Sequence, residues 1–212
     1  MTYVPLHLHS IYSPYEGMIT LPELVSRISF LKIPAVAVTD HWTTYGHFEF
    51  HQIAREAGIK PIFGSEIRHG SFLGGDGFYH LTILAENETG YRNLCRIVSA
   101  HYEKGKEQFV TPQELVEHNE GLIVLSGCIH GEAAQSILHG NLGREREVIQ
   151  RLLDIFGESN LFIEIQNHTL PEERLVLDHL TIQANRLGLP LVVTNNDRYL
   201  LQDESRFHEL LL

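Results

Sequence analysis

The run Ala35-Val36-Ala37-Val38-Thr39-Asp40-His41 sets the reading of the fold. Four apolar residues without polar alternation describe a short strand buried on both faces, as in a sheet covered by helices. The strand then exits directly into Asp40-His41, so a core element ends in residues with ligand chemistry.

The same grammar recurs on both sides of this run. Upstream, Thr20-Leu21-Pro22-Glu23 has the form of a capping box with proline in the first turn, opening a helix to about Lys32. Before it, Tyr3 to His9 reads as a strand ending in Leu6-His7-Leu8-His9-Ser10. Strand alternation puts His7 and His9 on one side, where they can share a metal ion or simply form a polar strand end.

Downstream, a helix from Gly46 to Ala57 stops at Gly58, and the strand Pro61 to Ile67 carries Glu66 near its end. A glycine-rich loop, Gly70 to Gly77, leads to the strand Phe78 to Ala85, followed by a helix over Thr89 to Tyr102 and a charged connection over 103–108. Thr111-Pro112-Gln113-Glu114 repeats the capping-box form, and the strand Leu122 to Leu125 runs into Ser126-Gly127-Cys128. Helices over His130 to His139 and Arg144 to Phe156, a strand Leu161 to Ile165, a helix Pro171 to Leu187 and a strand Pro190 to Thr194 complete the series, with Asn195-Asn196-Asp197-Arg198 as the last exit. Seven strands alternating with helices predict an α/β fold with a parallel sheet closed, or nearly closed, into a barrel. The chemistry of such barrels lies at the C-terminal strand ends. Gly74-Gly75-Asp76-Gly77 precedes a strand rather than a helix and so lacks the context of a phosphate loop.

The chain has 212 residues and a net charge of −11 with histidine neutral, which argues against a free-standing, non-specific nucleic-acid binder. No apolar run approaches the ~20 residues of a membrane span, and two cysteines make no disulfide framework. With no signal-peptide pattern, the expected location is cytoplasmic.

Fourteen histidines are present. His7, His9, His41, Glu66 and Cys128 sit at strand exits and together suit a catalytic metal cluster. His80 lies early in its strand, so periodicity does not place it at that mouth. His47 and His51, four apart on a helix, are expected on a solvated face. His69, His101, His118, His130, His139, His168, His179 and His208 are expected at the surface, Cys95 in the core, and Trp42 and Tyr45 in packing or walling a pocket.

The segments His7-Leu8-His9-Ser10, Thr39-Asp40-His41, Gly64-Ser65-Glu66, Tyr79-His80-Leu81-Thr82 and Ser126-Gly127-Cys128 resemble, in order and spacing, the motifs of the PHP (polymerase and histidinol phosphatase) superfamily. The runs Ala85-Glu86-Asn87-Glu88-Thr89-Gly90-Tyr91-Arg92-Asn93-Leu94 and Gly188-Leu189-Pro190 make the likeness strongest to the PHP domains at the N-termini of bacterial replicative DNA polymerase III alpha subunits. The resemblance implies a distorted seven-stranded (β/α)7 barrel, TIM-barrel-like, covering residues 1–200. Residues 201–212 would then start a truncated connection to further polymerase domains. It implies up to three divalent ions (zinc, manganese or magnesium). One would lie on His7, His9, Glu66 and the position of Asn196; a second on Glu66, His80 and Cys128; a third on Glu16, His41 and the position of Arg198. Asn196 stands where the family has aspartate and Arg198 where it has histidine, while Asp197 would face the other side of the strand and serve as a ligand only if the register shifts. The Glu66, His80 and Cys128 centre is thus expected intact, the first weakened and the third lost, with the Arg198 guanidinium able to replace that ion electrostatically. The expected role is a structural and interaction module of a polymerase subunit, with the subunit's other domains and replication factors as partners and DNA reached through the parent protein. A metal-dependent phosphoesterase or 3′–5′ exonuclease is the alternative.

Overall fold

The structure is a computed structural model that describes residues 3–103 and 109–211. Its elements run α1 (Leu21–Phe30), β1 (Ala35–Val38), α2 (His47–Glu56), β2 (Lys60–Gly70), β3 (Phe78–Ala85), α3 (Glu88–Glu103), α4 (Pro112–Glu117), β4 (Leu122–Leu125), α5 (Glu132–Leu138), α6 (Arg144–Phe156), β5 (Leu161–Ile165), α7 (Pro171–Leu187), β6 (Leu191–Val193) and α8 (Ser205–His208). Most helix ends follow local chemistry. Thr20 caps α1 by accepting from Glu23 N–H, Thr111 and Glu114 form the full capping box of α4, and Gly188 closes α7 in the left-handed region at φ 69°. Of the expected connection over 103–108, residues 104–108 lie outside the described residues.

The strands form one curled sheet in sequential order, β1 to β6. It has six strands rather than seven. Residues 5–9 run beside β1 with a bend at His7, where Ala37 N–H donates to Pro5 O and Thr39 N–H to Leu8 O, but only isolated bridges form. Pro5 has no N–H to give, and the Leu8 N–H is taken by the Thr39 hydroxyl, 2.9 Å away, so a regular ladder cannot develop. On its other side this segment bonds to the exit of β6, with His9 N–H donating to Asp197 O and Asp197 N–H to His7 O.

Nor is the sheet wholly parallel. β1–β2, β4–β5 and β5–β6 are parallel, but β3 runs antiparallel to both β2 and β4. The cause is the connection: the glycine-rich loop after Gly70 holds no helix, and a parallel return needs a crossover of about a dozen residues or more.

The main core lies between the sheet and α3, α5, α6 and α7, around Ile83, Leu94, Ile97, Val124, Ile149 and Leu161. A second core joins α1 and α2 to β1 through Leu24, Ile28, Val36, Val38 and Phe50. At the end of the sheet away from Glu66, Leu6, Ile62, Leu84, Ile123, Phe162 and Val192 line an open, largely apolar cavity of about 760 Å³, with His47 and His51 on its wall. Three histidines expected at the surface are instead buried: His47, His69 and His101. His47 lies on the inner face of α2, and its ring meets the carbonyl of Gly64, where no side chain intervenes. His69 donates from Nδ1 to Gly70 O, and His101 stacks on Trp42 with ring centroids 5.3 Å apart. In each case a polar ring is buried because a local acceptor or an aromatic face receives it.

Candidate metal centre

Glu66 is the hub. It is fully buried, and the two oxygens of its carboxylate face two different groups of side chains. Oε2 lies 3.1 Å from His7 Nε2, 3.1 Å from His9 Nε2 and 3.3 Å from His41 Nε2. Oε1 lies 2.9 Å from His80 Nδ1 and 3.3 Å from Cys128 Sγ, and these two are 4.0 Å apart. Side chains from four separate segments therefore converge on one carboxylate.

The antiparallel course of β3 explains His80. In this strand the first residues, not the last, lie at the mouth where the parallel strands end. His80 is paired in register with Arg68, two residues beyond Glu66 on β2, and its N–H donates to His130 O just past Cys128. Gly127 makes this approach possible: it sits at φ 93°, and a Cβ there would collide with the His80 carbonyl oxygen.

The loop after His9 is tied down by Asp40. This buried carboxylate accepts from Ser10 N–H, Ser10 Oγ and Ser13 Oγ, each at 2.7 Å. Burial raises the Asp40 pKa, and the serine bonds oppose that rise. His41 is held on the other side: its neighbour Trp42 takes φ 53°, an unfavourable conformation for a bulky residue, and donates N–H to Glu66 O.

The protonation states of the first two histidines follow from their outer partners. His7 Nδ1–H donates to Glu164 Oε1 at 2.7 Å, which leaves Nε2 to face Glu66. Burial opposes charge on His7, but Glu164 and Glu66 flank the ring and push its pKa up to about 10. Ser13 Oγ gives its own proton to Asp40, so it accepts from His9 Nδ1 at 3.2 Å, and His9 turns a bare Nε2 toward Glu66. Burial, with His41 and His7 beside it, lowers the His9 pKa to about 3. His9 also stacks on His41 with centroids 4.3 Å apart, an arrangement two cations would not share. Glu66 stays ionised despite its burial, because His7 first and then His80 hold its pKa well down. Burial pushes the Cys128 thiol up, and the negative charge of Glu66 adds to it.

These residues fit a divalent ion. A neutral imidazole lone pair on His9 Nε2 points at an ionised carboxylate oxygen, acceptor against acceptor, and His7 Nε2, His9 Nε2, His41 Nε2 and Glu66 Oε2 are all buried without a hydrogen bond of acceptable geometry. Donor separations of 3.1 Å match the edge of a coordination polyhedron with bonds of about 2.0–2.1 Å. His7, His9 and Glu66 form one possible ligand group, and His41, Glu66 and His80 another. Glu164 behind His7 stands where a carboxylate would orient a metal-ligating imidazole.

The expected third site is arranged differently. Glu16 Oε2 lies 2.8 Å from His41 Nε2 and 2.8 Å from Arg198 Nη1. Burial disfavours charge on Glu16, but His41 and Arg198 overcome it and lower its pKa to about 2. Asn196, at φ 47°, places its amide oxygen 3.4 Å from Arg198 Nε. Asp197 pairs through its main chain with the His7–His9 segment, while its carboxylate accepts from Asn195 Nδ2 at 3.0 Å.

Glu164 is the residue of this site that sequence reading passes over, and Asp40 is read there only as a strand exit, not as the anchor of the Ser10–Ser13 loop. The signal for Glu164 was present in Leu161-Phe162-Ile163-Glu164-Ile165: a charge inside an apolar strand must find a buried partner. Glu164 also bonds Thr194 and Gln166. Of the remaining histidines, His168 is bound at both nitrogens, to Glu173 and to Asn195 O, and His208 Nε2–H donates to Glu16 O.

Comparison with known proteins agrees with this geometry. The chain is 38% identical to DNA polymerase III subunit alpha of Treponema pallidum, covering 100% of this chain and 19% of that protein. It is 37% identical to the Thermus aquaticus subunit, over 100% of this chain and 18% of that protein. The chain thus spans about a fifth of the length of these curated relatives. In fold it is similar to a Bifidobacterium adolescentis protein provisionally described as a metal-dependent phosphoesterase, with a TM-score of 0.58 and 16% identity over 99% of this chain and 96% of that one. The profile of the PHP domain matches residues 5–168, and with the convergence of its motif residues on Glu66 the chain belongs to the PHP domain family.

Proposed function

We propose that this chain is the PHP region of a polymerase III alpha-type subunit and that its mouth binds one or two divalent ions on Glu66 to hydrolyse phosphoesters. The observation that carries the reading is the encounter of the neutral His9 Nε2 with Glu66 Oε2 at 3.1 Å inside a fully buried cluster. Such a pair is repulsive unless a cation lies between its members. Bound divalent ions would supply a hydroxide near neutral pH and stabilise charge on the phosphoryl oxygens. The chain's own residues then divide the remaining work. Glu66 joins the two ligand groups, Glu164 orients the His7 ring, which would release its Nε2 proton on binding a metal, Ser13 fixes the tautomer of His9, and the Cys128 thiol would give up its proton on binding an ion.

A second reading, an interaction module whose ions serve only structure, is favoured by Asn196 and Arg198, which remove a carboxylate and an imidazole from the mouth. Metal content by elemental analysis, combined with phosphodiesterase and single-stranded DNA exonuclease assays under Mn²⁺ or Zn²⁺, separates the two. Under the phosphoesterase reading, activity follows metal loading and falls at least about 100-fold in His80→Ala and Cys128→Ala, because direct ligands matter more than the outer partners whose loss costs 10–100-fold. Bound metal without hydrolysis leaves the module. Protein that takes up no metal refutes the centre itself.

A further inference from the structure

We propose that the Arg198 guanidinium is a built-in cation, permanently occupying the position beside Glu16 and His41 that would otherwise hold a metal ion. Glu16 Oε2 is shared between His41 Nε2 and Arg198 Nη1 at 2.8 Å each, and His41 Nε2 reaches on to Glu66 Oε2 at 3.3 Å. A carboxylate and an imidazole turned toward a second carboxylate form a donor set for a cation, and the guanidinium already pairs with its outer carboxylate, Glu16. Its placement is built in. Met18 N–H donates to Arg198 O at 2.9 Å, tying the arginine to the loop that carries Glu16, and Asn196 offers its neutral amide oxygen to Arg198 Nε. His208 Nε2–H donates to Glu16 O, which fixes the same loop from the other side. A guanidinium keeps its charge at any pH at which the protein folds, so this charge needs no loading. The outer part of the mouth is therefore balanced in the metal-free protein, and ion binding is confined to the inner donors around Glu66. The inference shares His41 with the proposed catalytic centre but rests on the Glu16–Arg198 contact, which that centre does not use.

Two measurements test it on the purified chain. The first is a double-mutant cycle of Arg198→Gln and Glu16→Gln, followed by the thermal midpoint in excess chelator. Each single change is expected to lower the midpoint by a few degrees, and the double change to cost no more than the worse single one. Fully additive losses overturn the proposal. The second is metal stoichiometry by elemental analysis after loading with Zn²⁺ or Mn²⁺. Arg198→His with Asn196→Asp should bind one more ion per chain than wild type, and adding Glu16→Ala should abolish that gain. An unchanged ion count in a folded double variant refutes the idea; if that variant does not fold, the cycle decides. Wild-type protein without any ion or hydrolysis would remove the phosphoesterase reading but leave both tests of Arg198 decisive.

Discussion

Glu164 shows how much one side chain outside the ligand set controls. It is buried, donates nothing when ionised, and holds His7 Nδ1–H at 2.7 Å. Replacing it by glutamine keeps the volume but offers an amide that can present either an acceptor or a donor to the ring, so the His7 tautomer is no longer imposed. Glu164→Gln is expected to weaken divalent-metal affinity about 10–100-fold with the fold retained, as measured by isothermal titration with Zn²⁺. An unchanged affinity would show that His7 is oriented by its other neighbours alone. At this scale the sequence was informative about ligand types and uninformative about their support. His7, His9, His41, Glu66 and Cys128 stood at recognisable strand exits, whereas the relay from His9 through Ser13 to Asp40, which Ser10 also binds, pairs residues whose meeting is invisible until the loop folds back.

At the scale of elements, β3 is the piece that completes the mouth. Its antiparallel course brings His80 to the ends of the parallel strands, and its carbonyl packs against Gly127 in the turn that presents Cys128. A Cβ at position 127 meets both an unfavourable positive φ and the His80 backbone. Gly127→Ala is therefore expected to cost about 2–4 kcal/mol in urea unfolding and to separate His80 from Cys128, lowering metal affinity along with stability. Stability unchanged from wild type would mean that the turn relaxes freely. The glycine-rich loop before β3 holds no helix and so returns the chain antiparallel, where the sequence reading expected a parallel sheet throughout. Backbone bonding explains the missing seventh strand. Pro5 and the Thr39 hydroxyl remove the donors a ladder needs and the chain bends at His7, so residues 5–9 lie beside β1 without becoming a strand. Helix boundaries were more legible, because capping threonines and closing glycines act within a few residues of the ends they set.

For the molecule as a whole, buried neutral histidines tie stability to pH. Burial holds the pKa of both His47 and His69 down to about 4 from an ordinary 6.5, against weaker support from their backbone bonds. The unfolded chain takes up these protons below about pH 6.5, while the folded chain refuses them until about pH 4. Stability is thus fully present above the upper value, falls between the two, and levels off below the lower one, by up to about 3 kcal/mol for each histidine. Urea midpoints measured across that window should decline less steeply in His47→Gln and His69→Gln than in wild type, and equal slopes would refute the assignment. Neither histidine could be placed from its sequence neighbours: His47 looked like half of a solvated pair on a helix, and only the packing of α2 over Gly64 buries it. The cause is general for this protein. Helix ends, apolar strands, the metal-ligand residue types and the family motifs are written locally, in spacings of a few residues, and the sequence by itself determined them. The direction of β3, the burial of His47, His69 and His101, and the meeting of Glu66 with four histidines and a cysteine depend on contacts between segments far apart in the chain. Those contacts form only when the curled sheet closes its distance in space, and so the tertiary structure alone decided them.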